Sequence, residues 1–549
     1  MRQLSYISFL AALLILLPLP SPAQWPTSPD ERLILGYGFE TESVSDGNGG
    51  AFVAFMTNLA WPQNYCFFQR VDREGYPQFA APIYLYSGLG SLVFDFHAVT
   101  DGQGGAIIGI LELCGEDPNW YGRLSLFRYN HESEIVYWNL PVNASGAVPE
   151  YDYFYLAPDS AGGVYVGYVG YGDFRIQHIG PLGERLWGDD GIDLEVNGPA
   201  WPEPADLTLG ADGNHCFATL RGDTLYAFKF TPEGDAVWGD GIMIPDLSHD
   251  TELAPDGTGG FVEIYKKYVG PYQNDLIASR IDSEGNAAWG NEGIYIGNLN
   301  FDKTVVCHYP YIYIMWDRFG LPGIAQLEKL DYQGNRIWPE SLTLFSATLS
   351  QGDLHMVDTG TSGLIFFCSQ NNPGTTTRLI AQKYSYEGER LWDEDGVFLS
   401  SRDLGEGGLN VTHDESGGGI FSWYESDPTY GMIVCAAMVN ADGEMGVVGI
   451  EIDPKSIFFP DNRTRIFPNP MNSQSKLYLS GEFPPNQPVE IYITTLLGQT
   501  LFHESLNPSG NILPLNFIVH DRIALSTGVY FLKISNRNYS YVLKLLYLK

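Results

Sequence analysis

Short stretches in which apolar and polar residues alternate follow one another along most of the chain, and glycine-rich turns separate them. Residues 206–220, DLTLGADGNHCFATL, predict two strands, because Asp-Gly supplies the positive φ angles of a tight hairpin. Residues 276–282, LIASRID, alternate in the same way, and residues 286–296, NAAWGNEGIYI, follow the turn at Gly285. The pattern predicts an all-β fold made of four-stranded antiparallel units.

These units repeat along the chain. One phrase, a turn glycine followed four positions later by a large side chain, recurs eight times at steps of 49 to 59 residues, with Glu134 in place of the glycine in the second copy. The large side chains are Phe79, Trp138, Trp187, Trp238, Trp289, Trp338, Trp392 and Val447. A second motif lies between them, as in SDGNGGAFVAF at 45–55. Its copies at 307–316, 360–369 and 414–424 are degenerate, which we call worn copies. A period of this length indicates a repeat architecture.

A β-propeller is the architecture that suits this repeat. Four antiparallel strands in about 50 residues make one propeller blade, and tryptophan is a natural filler between neighbouring blades. We expect eight blades within residues 24–455, and seven is the alternative if residues 301–316 lie outside the ring. Residues 31–38, ERLILGYG, are expected to close the ring by pairing into the last blade beside residues 445–452.

The first 23 residues have the pattern of a signal peptide. Arg2 precedes an apolar run at 9–20, and the small residues of SPA predict cleavage between Ala23 and Gln24. The run is shorter than the ~20 residues of a spanning helix, so we expect an exported chain without a transmembrane segment. The six cysteines fit export, and their spacing does not resemble a metal site. The sequence leaves open whether one or two disulfides form.

After a linker at 456–465, residues 466–549 predict a second domain, a small β-sandwich. This tail resembles the type A C-terminal sorting domain of the type IX secretion system. The resemblance lies in short blocks that occur in order and include Pro468, Asn469, Pro470, Gly498, Gly528, Tyr530, Lys544 and the terminal Lys549. It implies the outer-membrane type IX machinery as a partner, and a chain that is secreted or attached to the outer surface of a Gram-negative bacterium. The repeats likewise resemble secreted bacterial β-propeller proteins.

Charge narrows the range of partners. Residues 24–461 hold 21 basic and 62 acidic side chains, whereas residues 462–549 hold eight and four. Nucleic acid is therefore not an expected partner, since phosphate backbones are bound through lysine and arginine.

The motifs predict no catalytic residue, cofactor or metal. The chain has no GxSxG, HExxH or EF-hand pattern. The spacing of three residues from Asp282 to Gly285 and four from Gly285 to Trp289 differs from the sialidase box. The working hypothesis is a non-catalytic binding module for a glycan or a protein. The alternative is a secreted carbohydrate-active or other hydrolytic enzyme.

Overall fold

The structure is a computed structural model of the 549-residue chain, and it falls into two compact units, Met1–Val448 and Gly449–Lys549. We call the first the repeat domain and the second the tail. The structure describes residues 25–60, 63–79, 81–85, 92–116, 119–132, 135–139, 153–170, 173–194, 207–221, 225–244, 249–270, 273–320, 322–345, 349–371, 377–400, 408–429, 431–446, 465–467, 476–478, 488–495, 500–506, 512–514, 528–536 and 540–547.

All regular elements of the described residues are β-strands. The first half of the repeat domain contains β1 (Leu33–Tyr37), β2 (Phe39–Ser45), β3 (Ala51–Ala60), β4 (Gln63–Val71), β5 (Ile83–Leu85), β6 (Leu92–Thr100), β7 (Ala106–Glu116), β8 (Asn119–Tyr129), β9 (Ile135–Asn139), β10 (Tyr153–Pro158), β11 (Val164–Gly170), β12 (Asp173–Ile179), β13 (Ile192–Asp193), β14 (Leu207–Ala211), β15 (Cys216–Arg221), β16 (Leu225–Phe230) and β17 (Ile242–Ile244).

The second half continues the same pattern. It contains β18 (His249–Pro255), β19 (Phe261–Gly270), β20 (Gln273–Ile281), β21 (Ile294–His308), β22 (Tyr311–Arg318), β23 (Ile324–Asp331), β24 (Leu342–Thr343), β25 (Ser350–Asp358), β26 (Leu364–Asn371), β27 (Arg378–Tyr384), β28 (Val397–Ser400), β29 (Asn410–His413), β30 (Gly419–Asp427) and β31 (Gly431–Val439).

The strands of the repeat domain form small antiparallel sheets in which sequence neighbours pair. Repeats 1 to 4 are β2–β5, β6–β9, β10–β13 and β14–β17. Repeats 5 and 6 share one seven-stranded sheet, β18–β24: the start of the long strand β21 pairs with β20, and its end pairs with β22. Repeat 7 is β25–β28, and repeat 8 is β29, β30 and β31 completed by β1.

The first strands of the repeats contact one another in a closed circuit. The order of contacts is β2, β6, β10, β14, β18, β21, β25, β29 and again β2. The repeat domain is therefore a closed β-propeller, as the periodic pattern predicts. Residues 301–308 belong to this circuit, because the end of β21 contacts β25. Eight blades stay a prediction, since one continuous sheet joins repeats 5 and 6.

The N-terminal strand closes the ring by pairing into the last blade, as the sequence predicts. Strand β1 pairs antiparallel with β31, from Leu33 beside Ala436 to Tyr37 beside Ile433. Its hydrogen-bonded partner is the third strand of the last repeat, and most of the expected neighbouring segment, residues 447–452, lies outside the described residues. Arg32 adds an ion pair across this junction, 3.0 Å from buried Glu425.

The recurrent tryptophans lie between consecutive repeats. The indole Nε1 of Trp187 donates to the carbonyl of Pro232 at 2.9 Å, and that of Trp289 donates to the carbonyl of Tyr332 at 3.1 Å. Equivalent bonds join Trp238 to Ser283 and Trp392 to Ala441. Every acceptor is the second residue of the next repeat's turn.

This contact explains why the turn glycine and the tryptophan recur together. At Gly334 the backbone has a φ of +84°, and an added Cβ atom would lie 2.3 Å from Ile294 and 3.1 Å from the Trp289 ring. Only glycine leaves room for the indole of the preceding repeat at this conformation. Trp187 and Trp392 are buried, Trp238, Trp289 and Trp338 are half-buried, and the side chain of Trp138 lies outside the described residues. Their effect on stability stays a prediction.

Trp25 takes the same role at the point where the ring closes. The eighth copy of the phrase has Val447, outside the described residues, where other copies have tryptophan. Trp25 is only 2% exposed and packs in the core that joins repeats 8 and 1, and its Nε1 donates to the carbonyl of Arg73 at 2.8 Å. Arg73 is the second residue of the first repeat's turn. The N-terminal segment thus supplies the missing tryptophan.

The tail forms two further antiparallel sheets. Its strands are β32 (Arg465–Phe467), β33 (Lys476–Tyr478), β34 (Val489–Thr495), β35 (Thr500–Leu506), β36 (Ile512–Pro514), β37 (Gly528–Ser535) and β38 (Ser540–Tyr547). The sheet orders are β32-β33-β36 and β35-β34-β37-β38. Within the second sheet Ile491, Ile493, Leu532 and Ile534 are fully buried. The predicted β-sandwich agrees with this arrangement.

Several residues singled out in the sequence lie outside the described residues: Ala23, Gln24, Pro468, Asn469, Pro470, Gly498 and Lys549. Of the remaining motif residues, Gly528 and Tyr530 lie at the start of β37, and Lys544 lies in β38. The linker bounds 456–465 also stay a prediction.

Candidate functional site

A buried aspartate organises the regular hairpin between the first two strands of a repeat. In repeat 5 the carboxylate of Asp256 accepts hydrogen bonds from the backbone N–H groups of Thr258 at 2.7 Å and Gly260 at 3.0 Å. Its other oxygen lies 2.7 Å from Nη2 of Arg280 on the third strand. Asp46, Asp101 and Asp159 occupy the same position and pair with Arg70, Arg128 and His178. We call the pair a hairpin latch.

The cation of the latch also reaches the next repeat. Arg280 Nη1 donates to the carbonyl of Tyr332 at 3.2 Å, and Lys229, at the equivalent position of repeat 4, donates from Nζ to the carbonyl of Ser283 at 3.4 Å. The sequence carries this signal, since a basic residue or histidine stands five positions before the turn glycine in most copies, as at Lys229 and Arg280. Motifs defined by the spacing of catalytic residues do not include this basic position.

Repeat 6 lacks the hairpin latch. Strands β21 and β22 are joined by Tyr309 and Pro310 alone, since His308 pairs with Tyr311. In repeat 5 the corresponding loop has five residues, because Pro255 pairs with Phe261. The worn copy of the repeat at 307–316 is thus a shortened hairpin, and it leaves open space beside the intact hairpin of repeat 5.

That space is a cavity of about 480 Å³ between repeats 5 and 6, within the usual range for small-ligand sites. Side chains of both repeats line the cavity: Thr258, Arg280, Tyr309, Pro310, Tyr311, Asp331, Tyr332 and Gln333.

Three of the lining residues are tyrosines, Tyr309, Tyr311 and Tyr332. Tyr309 is 67% exposed, and its ring stands edge-on to that of Tyr332, with ring centres 5.4 Å apart at 83°. Tyr332 is itself buried, and its hydroxyl donates to the carbonyl of Asp256. The exposed ring of Tyr309 therefore lies against the buried ring of Tyr332, which a hydrogen bond holds in place.

The charged groups of the cavity are held in place by the protein. Arg280 is paired with Asp256, and its guanidinium lies 4.7 Å from the centre of the Tyr332 ring. Burial opposes ionisation of Asp331, but hydrogen bonds from Asn335 and Gln333 outweigh it and lower the pKa of Asp331. Asp331 is therefore ionised at neutral pH, and hydrogen bonds hold its carboxylate in its own turn.

A histidine and an aspartate meet on the other side of the shortened hairpin. Nδ1 of His308 lies 2.7 Å from Oδ2 of Asp358, and the His308 ring stacks on Tyr386 at 3.9 Å. The Tyr386 hydroxyl also contacts Asp358. Such a pair fixes the histidine tautomer and orients the ring.

A second polar region lies where the first strands of the repeats begin. His97 contacts Glu42 at 2.8 Å and Asp95 at 3.5 Å; burial opposes its protonation, but these carboxylates outweigh it and raise the pKa of His97 to about 10. Across the ring, Asp250 lies 2.7 Å from Nζ of Lys303 and also contacts Lys266. These charged side chains pair with one another between strands. We therefore assign this region a role in holding the strands together.

The described residues contain neither a cluster of metal ligands nor a membrane-spanning helix. Its histidine, cysteine and acidic side chains form no group of three that could hold a metal ion. Likewise, the residues that the structure describes contain no helix long and apolar enough to cross a membrane. Cys66, Cys216, Cys307 and Cys368 are free thiols.

Comparison with known proteins identifies the tail. Residues 465–547 match the family of secretion-system C-terminal sorting domains. No curated protein matches the chain.

Similar solved structures cover much of the repeat domain. A protein of unknown function from Dyadobacter fermentans is 11% identical over 76% of this chain and 99% of its own, with a TM-score of 0.35. The β-propeller domain of the Trilobed protease from Pyrococcus furiosus is 9% identical over 75% and 97%, with a TM-score of 0.36.

PorZ, a surface component of the type IX secretion system of Porphyromonas gingivalis, is 10% identical over 96% of this chain and 100% of its own, with a TM-score of 0.18. All three TM-scores are below 0.5, so the propeller assignment rests on the sheets described above. The resemblance of the tail to a sorting domain is confirmed, and the chain carries the signal for type IX export to the cell surface or the medium.

Proposed function

We propose that this protein is a non-catalytic binding module of the cell exterior, and that the cavity between repeats 5 and 6 binds a glycan. The proposal is carried by one observation, the exposed ring of Tyr309 above a cavity with ordered polar groups. An exposed aromatic ring beside fixed donors and acceptors suits a sugar, which has both apolar C–H faces and hydroxyl groups.

The position of the cavity supports the same proposal. Repeats 1, 2, 3 and 5 fix this hairpin with an aspartate paired to the third strand, and repeat 6 has no such pair and has a shorter loop. Natural proteins break their own local rules mainly at functional sites. Residues 308–311 stand in place of the regular loop 256–260: His308 takes the place of the aspartate, and Tyr309 and Tyr311 add aromatic surface where that loop has glycines.

A glycan array on the mature full-length protein tests the proposal. Tyr309→Ala is expected to abolish the signal, because it removes the exposed ring. Tyr268→Ala is the matched control: Tyr268 is 63% exposed and lies on β19 far from the hairpin of repeat 5. Equal binding by both variants, or a protein partner in place of any glycan, would refute the proposed site.

A hydrolytic enzyme is the second candidate function, and the His308–Asp358 pair is the observation that favours it. An oriented histidine can act as a general base when a substrate lies within hydrogen-bond reach. Turnover of chromogenic glycosides or esters that is lost in His308→Ala would establish this alternative. We expect no turnover.

A further inference from the structure

We propose that the ligand is an oligosaccharide chain, and that a second sugar subsite lies on the other side of the shortened hairpin, at His308 and Tyr386. This inference rests on the proposed glycan-binding function and adds the size of the ligand and a second contact region. The first subsite is the cavity with Tyr309 and Tyr332. Two features carry the second subsite: the distribution of tyrosines among the turns, and an oriented histidine with one ring nitrogen left over.

Tyrosine occurs at one turn position only beside the shortened hairpin. The position is the second residue of the turn after the third strand, and it holds Tyr332 in repeat 6 and Tyr386 in repeat 7. The other copies with the turn glycine have Arg73, Pro181, Pro232, Ser283 and Ala441 there. Tyr332 packs against Tyr309, and Tyr386 stacks on His308 with ring centres 3.9 Å apart at 19°. An aromatic turn residue therefore flanks the shortened hairpin on each side.

The two aromatic pairs lie on opposite sides of repeat 6. Tyr309 lines the cavity towards repeat 5, whereas His308 contacts Asp358 and Tyr386 of repeat 7. Facing β-sheets lie about 10 Å apart, so a ligand that contacts both pairs has to extend past repeat 6. One sugar ring is too short for this, and the arrangement therefore suits a chain of sugars.

His308 is oriented to bind a sugar hydroxyl. Its Nδ1 lies 2.7 Å from Oδ2 of Asp358, whose other oxygen accepts a hydrogen bond from the backbone N–H of Gly360 at 2.8 Å. The His308 side chain is 31% exposed, and no residue that the structure describes bonds to its Nε2. Because Asp358 engages Nδ1, the Nε2 atom of the neutral ring is an acceptor, and a sugar hydroxyl can donate to it.

The turn that carries Tyr386 is held against repeat 6. Its carbonyl accepts hydrogen bonds from Nζ of Lys329 at 2.7 Å and from the hydroxyl of Tyr313 at 2.9 Å, and the Tyr386 hydroxyl contacts Asp358. The second subsite is therefore ordered before a ligand arrives, which lowers the entropic cost of binding.

Size series from a single sugar up to a hexasaccharide test the inference, with α-glucan, β-glucan, mannan, xylan and chitin oligosaccharides as probes. In titration calorimetry on the mature full-length protein, affinity is expected to rise by about tenfold or more with length and then to level off once both subsites are filled. His308→Phe keeps a ring on Tyr386 but removes the ring nitrogens, so it is expected to lose most of this gain while its affinity for the single sugar stays unchanged. His413→Phe is the matched control, because His413 also ends the first strand of its repeat and lies 3.3 Å from Glu415.

The outcomes separate the two proposals. A single sugar that binds as tightly as the hexasaccharide would overturn the second subsite and leave glycan binding at the cavity standing, and this comparison needs no variant. A His308→Phe protein that melts as a folded chain and keeps the full gain with length would overturn it as well. Absence of binding in every series would overturn the glycan-binding function itself, and the second subsite with it.

Discussion

Repeats 5 and 6 belong to one continuous sheet, yet the hairpin between the first two strands is built differently in each. Repeat 5 has a five-residue loop tied down by Asp256 and Arg280. Repeat 6 replaces this loop with Tyr309 and Pro310, and its third-strand cation, Lys329, contacts Tyr311 and the next repeat.

The difference separates stability from binding within one sheet. The hairpin latch satisfies buried polar groups and joins neighbouring repeats, so it serves the ring. The shortened hairpin removes that support and exposes aromatic surface, and the remaining contacts of Lys329 keep repeats 6 and 7 together. In a repeat protein, the copy that departs from the pattern is therefore the first place to look for a ligand.

The largest expected effect is the loss of a hairpin latch. Asp256→Ala leaves Arg280 without its buried partner and is expected to lower the free energy of unfolding by about 3–5 kcal/mol. The corresponding change in repeat 6, His308→Ala, removes a half-exposed pair and is expected to cost about 1 kcal/mol or less. Chemical denaturation of both variants measures the contrast, and equal losses would show that the two hairpins support the ring alike.

A second contrast concerns the aromatic residues. Trp289→Ala removes an indole packed between repeats 5 and 6 and is expected to cost about 3 kcal/mol. Tyr309→Ala removes an exposed ring and is expected to cost under about 1 kcal/mol. The melting temperatures of the two variants check this ranking. If the Trp289 variant melts at the wild-type temperature, the tryptophans do not stabilise the contact between repeats.

A smaller effect is expected from pH. Asp317 in repeat 6 is buried; burial raises its pKa to about 6, against the hydrogen bonds from the backbone of Phe301 and Asp302. Because the folded pKa exceeds the unfolded value, the contribution of Asp317 to stability is complete below about pH 4 and is lost as the pH rises through about 6, at most about 2–3 kcal/mol.

Asp317→Asn is therefore expected to flatten the pH profile of the unfolding free energy between about pH 4 and 6 relative to wild type. Lys267, on the corresponding strand of repeat 5, provides the control: Lys267→Gln should leave this part of the profile unchanged. Profiles of Asp317→Asn and wild type that run parallel would contradict the assignment.

The sequence is sufficient for most of the fold because its strongest signals are local. Turn glycines such as Gly285 and Gly334 adopt positive φ, and the tryptophan four positions later packs on the next repeat. Ring closure is harder to predict. Trp25 lies in the N-terminal segment and its acceptor Arg73 in the turn of repeat 1, and no local pattern joins them; for the same reason the sequence does not specify β31 as the partner of β1.

The candidate site could be predicted only in part. The worn copy at 307–316 is visible in the sequence, but a worn copy could equally be a closed loop without a ligand. What makes it a cavity is the distance between two hairpins in neighbouring repeats, and Tyr332 reaches it from a turn that looks ordinary in sequence. Contacts between repeats decide the matter, and the periodic pattern does not specify them.

The most direct test of the central claim is to make repeat 6 resemble repeat 5. Residues 308–311 are replaced by the five-residue loop of repeat 5, Asp-Gly-Thr-Gly-Gly at 256–260, in the mature full-length protein, and glycan binding and thermal unfolding are measured together. The account predicts a folded protein with wild-type melting and no glycan binding, because the loop fills the cavity and removes Tyr309. Wild-type glycan binding by the folded variant would contradict it.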